Sequence, residues 1–239
     1  DTTSYGDDIG VGFNFDGKMG GGLPLLLKTV NDAIEKNAGK GWARLMYAYP
    51  TNFNDDMIKA IADTPHVVKY IDIPLQHASD RVLASMRRNV TGSQQLELMH
   101  KLRERVPGMA IRTTFISGFP GETEADHEQL MEFVSEVGFD AMGVFEYSPE
   151  PGTPAGTMEQ NAERAVPPEV KARRKNELME LQQEIAFEQA RFLASQFDPK
   201  DPANSGVQFD VLIDKPMNAA VRDTAGATEA YGGKGTLHK

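Results

Sequence analysis

Segments of strand length alternate with segments of helical periodicity along most of this chain, and that alternation restricts the fold more than any other feature. Residues 42–49, 67–73, 109–117 and 140–147 read as strands. Helical spacing covers 24–37, where Leu26, Leu27, Val30 and Ile34 fall on one face, and recurs over 54–62, 79–87, 93–105 and 123–137. Strands separated by helices of this size predict βαβ units and a mainly parallel sheet. The best-marked helix starts at Thr123, where Thr123 and Asp126 have the spacing of a capping box. Leu130, Phe133, Val134 and Val137 then form one apolar stripe, and Gly138 supplies the stop.

Residues 148–168 are rich in Pro, Gly and Ser and read as a connector, and Pro168 suits a first helical turn. A long helix follows from Glu169 to about Phe197, with Leu178, Leu181, Ile185 and Phe192 among its apolar positions. Asp198-Pro-Lys-Asp-Pro202 breaks it. Val207, Phe209, Val211 and Ile213 then alternate as a half-buried strand would.

The 239 residues suffice for one core, with room for a small second domain. No apolar run is long enough to span a bilayer, and no leader-like segment opens the chain, so a cytoplasmic protein is expected. A net charge of −10 argues against general nucleic-acid binding, which needs clustered cations. The one dense basic group, Lys171, Arg173, Arg174 and Lys175, is interleaved with glutamates and reads as a solvated helix face. There is no cysteine, which excludes disulfides and thiolate ligation of zinc or iron–sulfur clusters by this chain.

Ligand sites of parallel α/β folds lie at the carboxyl ends of the strands. Three such ends carry unusual polar loops. In Ile71–Asp80, the residues Asp72, Gln76, His77 and Ser79 are placed to face a ligand, although Ser79 also suits a helix N-cap. His77 lacks neighbours that would make it a metal ligand. In Ile111–Glu122, alternation turns Ile111 and Phe115 to one face and Arg112 and Thr114 to the other. Arg112 there needs an anionic partner, either a structural carboxylate or that of a bound ligand. Gly118-Phe-Pro-Gly121 permits close approach of backbone to a flat ligand, and it is neither a P-loop nor a dinucleotide fingerprint. At the fourth strand, Glu146, Tyr147 and Glu150 gather as an acid/base pair, a solvated rim, or a patch for a basic partner.

Four stretches taken together, Asp1–Gly6, Trp42–Pro50, Pro74–Asp80 and Arg112–Glu122, resemble the radical S-adenosylmethionine methylthiotransferases. Within that family the likeness is to the RimO branch, which modifies an aspartate of ribosomal protein uS12. The resemblance implies a partial, TIM-like β/α barrel over residues 1–150 that lacks its first strands. A connector and closing helix over 151–204 and the incomplete start of a small TRAM β-barrel over 205–239 would follow. It implies S-adenosylmethionine and [4Fe–4S] clusters as cofactors, the cluster cysteines falling before Asp1, so that this chain alone is expected to be inactive. It assigns Gln76, Ser79 and Arg112 to the amino-acid and ribose parts of the cofactor. Ile116, Gly118, Pro120 and Gly121 go to its adenine, and Glu146, Tyr147 and Glu150 to the substrate side. The implied partners are uS12 on the small ribosomal subunit and an electron donor, with no membrane and no strong nucleic-acid contact. The alternatives are a fragment of a tRNA-modifying relative and a non-catalytic binding scaffold.

Overall fold

The computed structural model describes residues 2–5, 22–37 and 41–207. The strand expected over 207–213 and the TRAM start lie outside the described residues, apart from Ser205, Gly206 and Val207.

The fold is α/β. Its sheet is four-stranded and parallel in the order β1 (Ala43–Leu45), β2 (Val67–Asp72), β3 (Ala110–Ser117), β4 (Ala141–Glu146). The connections carry α2 (Asp55–Asp63) between β1 and β2, then α3 (Asp80–Ser85) and α4 (Gly92–Arg105) before β3. Helix α5 (Glu124–Val137) joins β3 to β4, and α1 (Leu23–Asn37) precedes the sheet. Two compact units divide the chain, Asp1–Arg191 and Phe192–Lys239. In the second, the Asp198–Ser205 turn is closed by bonds such as Asp198 N–H to Ser205 Oγ at 2.8 Å.

Burial in β3 alternates strictly, with Ile111, Thr113, Phe115 and Ser117 buried and Arg112, Thr114 and Ile116 half-buried on the other face. Period-two alternation is what a strand with one packed face requires. Phe115 meets Phe133 and Phe139 edge-on under the helices, with ring centroids 6.3 and 5.8 Å apart. The helix-side core also takes in Ile58, Ile61, Ile71, Met99, Leu102, Val134 and Leu178. Helix α5 has the expected capping box at Thr123 and Asp126, and it ends at Gly138 with φ +60°, a left-handed conformation glycine adopts without Cβ strain.

Two expectations need correction. The first strand is three residues long, not eight, because the chain turns at Tyr47, whose φ is +57°. Met46 and Tyr49 bond instead to the amino-terminal segment, where Thr2 Oγ1 donates to Met46 O and Tyr49 N–H donates to Thr3 Oγ1 at 3.0 Å, while Ala48 N–H still donates to Asp72 O at the end of β2. The connector also contains a helix, α6 (Pro154–Glu159). Thr153 caps it by accepting from Gly156 N–H, and Pro154 occupies the first turn, where a missing N–H does no harm. The long helix α7 spans Pro168–Ser195, as expected to within a turn.

Candidate functional site

The carboxyl ends of β2, β3 and β4 converge on a cavity of about 290 Å³. Its walls are Gln76, Met86, Arg87, Arg88, Ile116, Phe119 and the α6 start at Thr153–Ala155. Gln76 is aimed there by backbone geometry. Its φ is +73°, its N–H donates to Thr114 O, and its carbonyl accepts from Ile116 N–H. Such strain persists only where the surroundings over-determine it, and it concentrates at functional sites. The cause lies one residue on. His77 is wholly buried, and its Nδ1 accepts from Ser79 N–H at 3.0 Å, fixing the turn. Burial lowers the His77 pKa to about 4, the nearby Asp126 charge opposing and the His127 and Arg174 charges adding, so the ring is neutral.

The loop after β3 is folded around a carboxylate. Glu122 Oε2 accepts from Gly118 N–H at 2.7 Å and Phe119 N–H at 3.0 Å, while Oε1 accepts from Arg174 at 2.9 Å. Burial raises the Glu122 pKa, and Arg174 and the two amides oppose the shift. This arrangement presents Phe119 to the cavity. Gly118, at φ +74°, rests on the Lys171 stem, where an added Cβ would lie 2.2 Å from Cγ.

The structure therefore sorts the sequence-predicted residues. Gln76 and Ile116 line the cavity. Pro120 is buried in the loop behind Phe119, and Gly121 is tied by its N–H to Arg164 O and by its carbonyl to Arg81. Ser79 neither caps α3 nor faces the opening; its hydroxyl donates to Asp126 at 2.6 Å. Burial works against the Asp126 charge, yet the bonds from Ser79, Thr123 and Arg81 bring its pKa down to about 2. Arg112 is half-exposed on the open sheet face and bound to buried Asp72 at 2.5 Å, so the structural-carboxylate alternative holds. Glu146 pairs with Lys175 at 3.1 Å on the surface, and Glu150 is exposed. Tyr147 turns inward, edge-on to Phe119.

Sequence reasoning missed Arg87 and Arg88. Arg87 has φ +57°, and the Arg88 guanidinium lies 5.1 Å from the Tyr49 ring centroid. No carboxylate pairs with either among the described residues. The adjacent Arg-Arg at a helix end, which α3 leaves pointing to the cavity, was the available signal. The basic group on α7 also needs correction. Lys171 and Arg174 are only 6% and 4% exposed, not solvated, because they share the packed face of α7 and each meets a carboxylate, Glu159 at the end of α6 and Glu122 in the loop after β3. Arg173 and Lys175 are on the surface, as expected.

Comparison with known proteins agrees with this layout. The radical SAM superfamily profile matches residues 18–134. A uS12 methylthiotransferase RimO of Desulfitobacterium hafniense is 43% identical over 79% of this chain, and one of Anaeromyxobacter is 49% identical over 80%. Over residues 18–134 the chain is similar to the radical SAM superfamily. It spans 39% and 37% of those two relatives' lengths. Among solved structures, coproporphyrinogen III oxidase (HemN) from Escherichia coli, described as a radical SAM enzyme, matches with a TM-score of 0.51. That match covers 70% of this chain and 37% of the other at 15% identity, and it supports the fold alone. The radical SAM α/β architecture and the resemblance to the methylthiotransferases are thus borne out. No group of three or more metal-binding side chains occurs among the described residues, and no helix there is long and apolar enough to cross a membrane.

Proposed function

We propose that this chain forms the S-adenosylmethionine-binding part of a methylthiotransferase that acts on an aspartate side chain of ribosomal protein uS12. The observation that carries the reading is the cavity itself. Ile116, Phe119 and Met86 offer apolar walls to a flat ring, the Gln76 carboxamide has no hydrogen-bond partner among the described residues, and the Arg87 and Arg88 guanidinium groups stand at the same opening with no carboxylate paired to them among those residues. An adenosyl group joined to a zwitterionic amino acid has that distribution of apolar and charged parts. We place the amino-acid carboxylate on Arg88, since Arg112 already holds Asp72 and does not line the cavity. The cofactor supplies the radical chemistry when bound, and the residues here bind and orient it. With no cysteine in the chain, the residues present do not fit a thiolate-held [4Fe–4S] cluster.

The substrate side falls to the rim after β4. Glu146 and Glu150 are exposed there, and an acidic rim on a chain of net charge −10 suits a basic partner protein. Tyr147 supports the cavity wall from behind. Titration of S-adenosylmethionine into the purified chain tests the cofactor reading. Gln76→Ala and Arg88→Ala are each expected to weaken binding about tenfold, or 1.4 kcal/mol, whereas Lys175→Ala leaves it unchanged. No heat of binding, or equal affinities in all four proteins, rejects the assignment.

A further inference from the structure

The cavity has two walls from distant parts of the chain, the Gly118–Glu122 loop and the start of α6, and nothing in the sheet joins them. Lys171 of α7 touches both. Its stem fills the space above Gly118, where a Cβ would lie 2.2 Å from Cγ, and its carbonyl accepts from Ser117 Oγ at 3.0 Å. Its ammonium reaches the other way, 2.5 Å from Glu159 Oε1 at the end of α6. The same ammonium lies 3.4 Å from Tyr147 O and 5.1 Å from the Tyr147 ring centroid. Tyr147 in turn packs edge-on against Phe119, with ring centroids 5.3 Å apart. Both partners of the ion pair are shielded, with 8% and 18% of their side chains exposed. Losing one partner therefore strands the other.

We propose that Lys171 is a positioning residue that ties the two cavity walls together through Glu159 and so fixes the spacing between Phe119 and Pro154. Arg174, one turn further along the same helix face, performs the complementary task within the loop by holding Glu122 at 2.9 Å. Helix α7 thus acts as the strut on which the site is built. The tie itself is independent of what the cavity binds; its consequence for cofactor affinity rests on the S-adenosylmethionine reading above.

The test has two arms on the whole chain. Amide hydrogen exchange is followed without ligand in the wild type, in Lys171→Met, which keeps the stem over Gly118, and in Glu159→Gln, which leaves Lys171 untouched. Loss of the tie is expected to speed exchange about tenfold or more in both Phe119–Glu122 and Thr153–Asn161, with α4 unchanged. The Glu159→Gln result in the Gly118 loop is decisive, because that substitution lies outside the loop. Unchanged protection of Phe119–Glu122 in Glu159→Gln overturns the tie, whether or not Lys171→Met folds. The second arm titrates S-adenosylmethionine into the same proteins. Affinity reduced in both variants and restored in Lys171→Arg supports the positioning role. Paired loosening of the two walls without any S-adenosylmethionine binding, even to the wild type, upholds the tie and overturns the cofactor assignment instead.

Discussion

Acidification offers a direct test of the buried centre that sets the Gln76 turn. His77 has no exposed side-chain surface, and its Nδ1 accepts from Ser79 N–H, so the proton of the neutral ring sits on Nε2. Protonating Nδ1 would set two donors face to face and place a charge in a site that already holds Arg174 and Arg81 nearby. Burial, the largest cause, takes the pKa from 6.5 to about 4. The unfolded chain therefore binds more protons than the native one between those values. Stability from this group is fully present above pH 6.5 and is lost as the pH falls toward 4. Linkage over that window gives a loss of about 2 kcal/mol between about pH 7 and about pH 5.

His127 is also lowered by burial, opposed by Glu177, and acts in the same direction. Glu122 is raised by burial and acts oppositely, because its native form takes up a proton more readily than the unfolded chain does. Asp126, at about 2, keeps its contribution until well below this window. The His77 share is isolated by His77→Gln, whose amide oxygen can still accept from Ser79. Urea midpoints at the two pH values measure it. The wild type should lose about 2 kcal/mol more than the variant over the interval. Equal losses would refute the assignment of a neutral, buried His77.

Other substitutions probe the remaining arguments. Phe115→Ala removes a fully buried ring between Phe133 and Phe139 and should destabilise by about 3–5 kcal/mol in chemical denaturation. Gly118→Ala places a Cβ at φ +74° against the Lys171 stem, and a loss of about 1–3 kcal/mol is expected from the backbone strain alone. Lys175→Ala breaks a solvent-exposed pair with Glu146 and should change stability by less than about 1 kcal/mol. Glu150→Lys should slow association with uS12 in stopped-flow mixing while leaving S-adenosylmethionine affinity unaltered, and a rate indifferent to the charge and to salt would count against the acidic rim.

Local rules made the fold legible. Alternation in β3 gave its packed face, and the Thr123–Asp126 spacing and Gly138 gave both ends of α5. These signals work because the partner of each group lies within four residues. The site was less legible for the opposite reason. Ser79 reads as a cap until Asp126, 47 residues away, is seen to take its hydroxyl. Lys171 and Arg174 read as solvated until Glu159 and Glu122, 12 and 52 residues away, are seen to neutralise them. Charge at helical spacing says which residues share a face, but not whether that face meets water or a loop carboxylate. Short motifs locate the strand ends, whereas the cavity's shape depends on ion pairs between segments that no motif contains. The cavity walls should therefore respond more to Glu159 or Arg174, which do not line the cavity, than to Ser85, an exposed residue that does. A scan in which Ser85→Ala and Glu159→Gln changed cofactor affinity equally would undo that reasoning.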